Sequence, residues 1–213
     1  MQSYYASRAN EYEAVYEKPE RQPDLRRIEQ WLPSILHGRR ILEIACGTGY
    51  WTRFLAPVAS CIVAIDSAEE TLRIARERVS SANVSFVVGD AYAPGRHRGP
   101  FDAAFAGFWL SHVPHERQGD FIAALDAALQ PGAKVVFLDN LFVAGSSSPI
   151  SEQDEQGNTY QSRRLSDGSV HRVLKNFPTE AQLHALVASG LGRSPRYTRW
   201  SYYWAFEYRV PQG

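Results

Sequence analysis

The chain is predicted to fold as an α/β domain built on an open, doubly wound, mostly parallel sheet, and three observations carry that expectation. Five short apolar runs, Ile41 to Ala45, Cys61 to Ile65, Val84 to Val88, Phe101 to Ala106 and Lys134 to Leu138, suit strands buried on both faces. Helical patterns separate them, so consecutive strands lie parallel across helical crossovers. After Asn140 the alternation stops. The chain closes on two aromatic-rich strand patterns, Arg196 to Trp200 and Tyr202 to Val210, with Ser201 alone between them. A single residue cannot form a crossover, so the last strand runs antiparallel.

The elements follow in order. Tyr5, Arg8, Tyr12 and Tyr16 recur at spacings of three or four, which places them along one side of an N-terminal helix. A second helix is expected from about Asp24 to Leu36. Ser67 with Glu70 reads as a capping box that opens a helix carrying Leu72, Ala75 and Val79 on one face. Pro114 opens the next, with Phe121, Leu125 and Leu129, before the break at Pro131 and Gly132. A Gly/Ser/Pro stretch from Gly145 to Pro149 leads into a hairpin marked by Asp167-Gly168. With a two-residue turn, Arg163, Leu165, Val170, Arg172 and Leu174 share one face, and Arg164, His171, Val173 and Lys175 the other. Thr179 with Gln182 caps a last helix ending at Gly190.

At 213 residues, 44% hydrophobic and 22% charged, the chain suits one domain, residues 1–213, burying roughly 70% of its unfolded surface. Within it the divisions expected are N-terminal helices (1–37), a ligand-binding core (39–140), an inserted hairpin (141–177) and the last helix and strands (178–213). The 23 basic and 23 acidic side chains cancel, which argues against nucleic acid or a membrane surface as partner. No apolar run of about 18 residues exists and the N-terminus is polar, so a cytoplasmic monomer or homodimer is expected. Cys46 and Cys61 read as two buried thiols, and two cysteines cannot build a metal site.

In an open parallel sheet, ligands bind beyond the carboxyl ends of the strands. Cys46-Gly47-Thr48-Gly49-Tyr50-Trp51 directly follows the first strand, a glycine turn that lets a ligand approach the backbone. Asp66 ends the second strand, where a carboxylate can accept from both hydroxyls of a ribose. Asp90 and Ala91 end the third, where a side chain and an N–H can read an adenine edge. Each feature alone also has a packing explanation, but three at consecutive strand ends point to an adenosine-containing ligand. A dinucleotide fold would place a glycine where Thr52 stands, after the bulky Tyr50 and Trp51. Glu43 inside the first strand suits a cationic ligand better than phosphates.

The runs ILEIACGTGYW, VAIDSA, VVGDAY, FDAAFA and LQPGAKVVFLD resemble the ordered motifs of class I S-adenosylmethionine-dependent methyltransferases over Arg39 to Asn140. More narrowly, Tyr4 to Tyr12, Gly47 to Arg53, Trp109 to Pro114 and the hairpin with Arg172 and Lys175 resemble a bacterial phosphonate O-methyltransferase of phosphonate antibiotic biosynthesis. The resemblance implies a seven-stranded sheet and S-adenosylmethionine as cofactor, with S-adenosylhomocysteine as product. It assigns Gly47 and Gly49 to the cofactor's aminoacyl end, Asp66 to the ribose, Asp90 and Ala91 to the adenine and Ala106 to the methionine portion, with Trp51 and Ser67 as further cofactor-binding residues. Arg8 and Tyr12 would close over the cofactor carboxylate as part of a lid. Ala45 stands where the family more often has Gly.

Methyl transfer needs alignment more than acid–base machinery. An anionic acceptor calls for cationic positioning, for which Arg164, Arg172 and Lys175 are candidates, with Tyr5, Tyr16 and Trp109 lining the site. Arg172 is expected to reach in from the core-facing side of the hairpin. A phenol or other hydroxyl would need a base, and His112 is the candidate. No metal is expected. A nicotinamide oxidoreductase and a cofactor-binding module without turnover are the rival classes.

Overall fold

The computed structural model describes residues 16–96, 99–188 and 194–212. Tyr5, Arg8 and Tyr12, with most of the predicted N-terminal helix, lie outside them, as does Gly190. Helix α1 (Gln22–Leu36) turns Leu25, Ile28, Leu32 and Leu36 onto the sheet at three- and four-residue spacing. Then β1 (Arg40–Ile44), the short α2 (Thr52–Leu55), β2 (Cys61–Asp66), α3 (Glu69–Arg78) and β3 (Val84–Val88) build one half of the main sheet. The other half comprises β4 (Ala103–Gly107), α4 (His115–Ala127), β5 (Lys134–Asn140), α5 (Glu180–Val187), β9 (Arg196–Arg199) and β10 (Tyr203–Arg209). A separate three-stranded sheet holds β6 (Glu152–Gln153), β7 (Thr159–Arg164) and β8 (Val170–Leu174).

The seven strands of the main sheet lie in the order β3-β2-β1-β4-β5-β10-β9, parallel except that β10 is antiparallel to both β5 and β9. Side chains alternate between two cores: Ala103, Phe105, Val136 and Leu138 meet α1, α2 and α3, whereas Ala104, Ala106, Val135 and Phe137 meet α4 and α5. Burial on both faces explains the unbroken apolar runs. The edge strand β3 departs from that expectation, because with one neighbour missing its residues are exposed or half-buried. Strand order reverses between β1 and β4, so a crevice opens at their carboxyl ends, between the turn after Ile44 and the one after Gly107.

Three local expectations are corrected. Ser67 does not cap α3; Asp66, one residue earlier, accepts from the Ala68 N–H at 3.0 Å and from the Thr71 hydroxyl at 3.3 Å, and the helix begins after Ala68. Cys61 is half-buried rather than buried, and both cysteines are free thiols. The hairpin loop has three residues, not two: Leu165 N–H donates to the Ser169 carbonyl, Gly168 sits at φ 84°, and Arg164 pairs with Val170. One extra loop residue moves every β7 side chain to the other face relative to β8. Gln161, Arg163 and Leu165 therefore join His171, Val173 and Lys175 on the inner face, while Ser162 and Arg164 join Val170 and Arg172 on the outer. The capping box of Thr179 and Gln182 forms as expected.

Ala45 adopts φ 52°, a left-handed conformation that costs an L side chain about 1–2 kcal/mol. Glycine removes that strain but adds about 0.5–1 kcal/mol of unfolded-chain entropy. Ala45→Gly is therefore expected to stabilise the fold by about 0.5–1 kcal/mol, measured as the shift in urea midpoint at constant m-value.

Candidate active site

On the β1 side, Gly47 and Gly49 adopt φ 55° and 73°, so the turn carries three consecutive odd-numbered residues in the left-handed region and keeps its backbone bare. A Cβ on Gly49 would lie 3.1 Å from the Ala75 Cβ, so α3 packs directly on the turn. The Gly47 N–H donates to Asp66 Oδ2 at 2.9 Å, which ties the end of β1 to the end of β2. Burial pushes the Asp66 carboxyl up, and bonds from the Ala68 and Gly47 N–H groups and from Thr71 hold the shift down. With three donors spent on it, an ionised carboxylate still has acceptor capacity toward the crevice. Ser67 is exposed beside it. Asp90 is exposed and accepts from the Tyr92 N–H at 2.9 Å, Ala91 is buried, and Ala106 is buried one residue before the end of β4. Trp51 packs so closely on Gly107 that a Cβ there would stand 2.9 Å from its ring. These residues fit an adenosine-type ligand: a bare turn, a strand-end carboxylate and a buried indole N–H with no partner among the described residues.

Glu43 lies beneath the turn, buried, accepting from Thr52 Oγ1 at 2.8 Å. Burial raises its carboxyl to about 8, with the Thr52 bond opposing. A folded value above the ordinary 4.5 means the folded state binds the proton more tightly, so stability falls as pH rises between 4.5 and about 8. Glu43→Gln is expected to abolish this slope, about 1.4 kcal/mol per pH unit, in urea unfolding across pH 5 to 8. Burial also pushes the Cys46 thiol well up, leaving it unreactive.

The β4–β5 side holds a buried polar cluster. Lys175 Nζ bonds Asp139 Oδ1 at 2.7 Å and Ser111 Oγ at 2.6 Å, and Asp139 Oδ2 accepts from the Ser111 N–H at 3.1 Å. Burial is the largest single influence and opposes the Asp139 charge, but the Lys175 ammonium, His112 and hydrogen bonds from Lys175 and Ser111 together outweigh it and hold the carboxyl below its ordinary value. Burial pushes the Lys175 ammonium down from its ordinary value, and the Asp139 carboxylate opposes that shift. His112 Nδ1 meets the Leu174 carbonyl at 2.6 Å. A carbonyl only accepts, so Nδ1 carries the proton. Burial, then the Lys175 ammonium, push the imidazole well below its usual range, so the ring is neutral with Nε2 as its basic nitrogen. Arg163, half-buried on the inner hairpin face, donates to Gln161 Oε1 at 2.9 Å and has no carboxylate within ion-pair distance among the described residues.

The fold thus brings Gly47, Gly49, Trp51, Asp66 and Ala106 to the crevice and gathers His112 and Lys175 in the buried polar cluster around Asp139. Tyr16 is buried and stacks on Tyr50 at 3.6 Å, and Trp109 packs on Tyr92 and Phe121. Arg172, expected on the core-facing side, is instead exposed on the outer face, bonded to Glu152 at 2.7 and 2.8 Å over the Tyr160 ring. Arg164 also lies on the outer face, donating to the Gly168 carbonyl. Asp139 was read only as the last residue of the run LQPGAKVVFLD, with no role attached, and neither Ser111 nor Arg21 was given one.

Residues 41–132 match the model of a methyltransferase domain family, and the chain resembles class I S-adenosylmethionine-dependent methyltransferases. Among solved structures it is similar to DhpI: the SAH complex superposes with a TM-score of 0.79 at 28% identity, covering 100% of this chain and 96% of that one. The DhpI complex with SAM and HEP gives 0.75 at 28%, covering 96% and 94%. The PH0226 protein of Pyrococcus horikoshii, 20% identical with a TM-score of 0.71 over 95% and 99%, shares the fold. A demethylmenaquinone methyltransferase of Shouchella clausii is 32% identical over 108 residues, 48% of this chain and 45% of its own. The chain thus matches under half the length of that curated relative. No helix among the described residues is long and apolar enough to cross a membrane.

Proposed function

We propose that this methyltransferase acts on an oxygen of a small anion, a phosphonate or similar oxyanion. The observation that carries the reading is Arg163: a half-buried guanidinium on the face it shares with Lys175, held by Gln161 and by no carboxylate among the described residues. S-adenosylmethionine, when bound, would supply an electrophilic methyl group to an acceptor oxygen and leave as the neutral thioether S-adenosylhomocysteine. An oxyanion needs no base, so the protein's task is alignment, worth up to about 7–11 kcal/mol. Asp66 with Ser67 takes the ribose, Gly47, Gly49, Trp51 and Ala106 the aminoacyl side, and Asp90 and Ala91 the adenine. Tyr16 and Trp109 line the site. Arg163 takes the place foreseen for Arg172, and Lys175, anchored on Asp139, adds charge nearby.

A second reading rests on His112. Its ring is neutral and so can accept a proton from a phenolic or other hydroxyl acceptor. Assaying S-adenosylhomocysteine release from small phosphonates, carboxylates and phenols separates the two. Turnover of phosphonates, with Arg163→Gln raising KM about tenfold or more at unchanged cofactor affinity, is expected. Activity confined to neutral phenols and lost in His112→Gln would replace the first reading by the second.

A further inference from the structure

Phe108 follows the last residue of β4 at φ 57°, in the left-handed region where a large L side chain is strained. The strain has a local consequence. Along β4, Ala104 and Ala106 face the core of α4 and α5, and an extended backbone would carry Phe108 to that same side. Its ring instead joins the opposite core, with its centroid 5.6 Å from that of Tyr16, 6.2 Å from Trp51 and 5.8 Å from Tyr203. The Phe108 N–H still donates to the Leu138 carbonyl at 2.7 Å, so the ladder to β5 is kept and only the side chain changes sides.

The rings of Phe108 and Trp51 meet where strand order reverses. In the placement proposed above, adenine lies at the end of β3 and ribose at the end of β2. The cofactor's sulfur hangs on the 5′ carbon of that ribose, so the next strand ends along the sheet, β1 and β4, receive it. Trp51 belongs to the turn after β1, and Phe108 to the end of β4. The Trp51 indole N–H is buried with no acceptor among the described residues, and its nitrogen lies 3.2 Å from where a Cβ on Gly107 would stand. A buried donor left open beside a bare strand end marks space that ligand atoms fill. What surrounds that space is ring surface rather than negative charge. Glu43, the acid beneath the turn, is pushed up to about 8 by burial and is protonated at neutral pH.

Resting on that cofactor placement, we infer that the strained backbone of Phe108 sets its ring, beside that of Trp51, against the cofactor's sulfonium, so that the site selects the positive charge on sulfur by cation–π attraction. The attraction ends once sulfur is left as a neutral thioether, which favours exchange of spent cofactor for fresh.

The test titrates the full-length protein calorimetrically with S-adenosylmethionine and with S-adenosylhomocysteine. Phe108→Leu keeps an apolar side chain but removes the ring, and is expected to weaken S-adenosylmethionine about fivefold to tenfold while S-adenosylhomocysteine shifts by less than about twofold. Replacing Phe108 by a ring-trifluorinated phenylalanine preserves shape and packing but drains the ring face of negative potential, which keeps the question open to measurement should Phe108→Leu fail to fold. It is expected to weaken S-adenosylmethionine about threefold and to leave S-adenosylhomocysteine unchanged. Equal weakening of both ligands, or no change in either, would make Phe108 a packing residue and overturn the inference while leaving the cofactor reading intact. Failure of wild type to bind either ligand would overturn the cofactor reading and the inference with it.

Discussion

Replacing Lys175 by methionine is expected to destabilise the protein by about 3–5 kcal/mol, the cost of breaking one partner out of a buried ion pair. Lys175 and Asp139 side chains are 5% and 0% exposed, so neither is rescued by solvent. Without the ammonium, Asp139 keeps the Ser111 N–H but must either carry its charge unpaired or take up a proton. Asp139→Asn should cost a similar amount, and the double variant less than the sum, because the pair is then removed together. Denaturant unfolding at neutral pH measures all three. The pH dependence has a definite sign. The folded Asp139 carboxyl lies below its ordinary 3.8, so the stability it contributes is fully present above 3.8 and is lost as pH falls through the folded value. Wild type should lose stability on that acid limb and Lys175→Met should not. A loss under about 1 kcal/mol in Lys175→Met would mean that the pair behaves as a surface ion pair.

Asp66→Ala is expected to weaken S-adenosylhomocysteine binding about 10- to 100-fold, the equivalent of charge-assisted bonds worth about 1.5–3 kcal/mol. Two effects add. The carboxylate would no longer meet the ribose, and the Gly47 and Ala68 N–H groups would lose the oxygen that holds both turns in place. Asp66→Asn retains an oxygen for one of these donors and should fall between Ala and wild type. Calorimetry with S-adenosylhomocysteine, and with NAD as a ligand expected not to bind, reads the effect directly. An unchanged dissociation constant would remove Asp66 from the ribose.

The alternation of apolar runs with helical patterns was enough to specify the parallel sheet, because a strand buried on both faces cannot avoid being apolar throughout, and the lone Ser201 between the last two strands was enough to make the last one antiparallel. The bare turn at Gly47 and Gly49 and the acid at Asp66 were legible for a similar reason: each is a short-range feature whose residue types answer a backbone need. The start of α3 was misread because Ser67 and Asp66 can both cap, and the choice depends on where β2 delivers the chain.

What tertiary structure decided lies around β5. Whether Arg163 or Arg172 faces inward hinges on a single loop residue at Gly168, since a strand's side chains alternate with period two and a shift of one reverses them all. From its neighbours in sequence Lys175 was a candidate for positioning an anionic acceptor. Its meeting with Asp139, 36 residues away, turns it into a buried ion pair. Arg21 and Asn140, 119 residues apart, carry no motif at all. Local chemistry determined the cofactor side of this protein, whereas charge balance on the acceptor side is a sum over distant segments that only the folded chain brings within a few ångströms of one another.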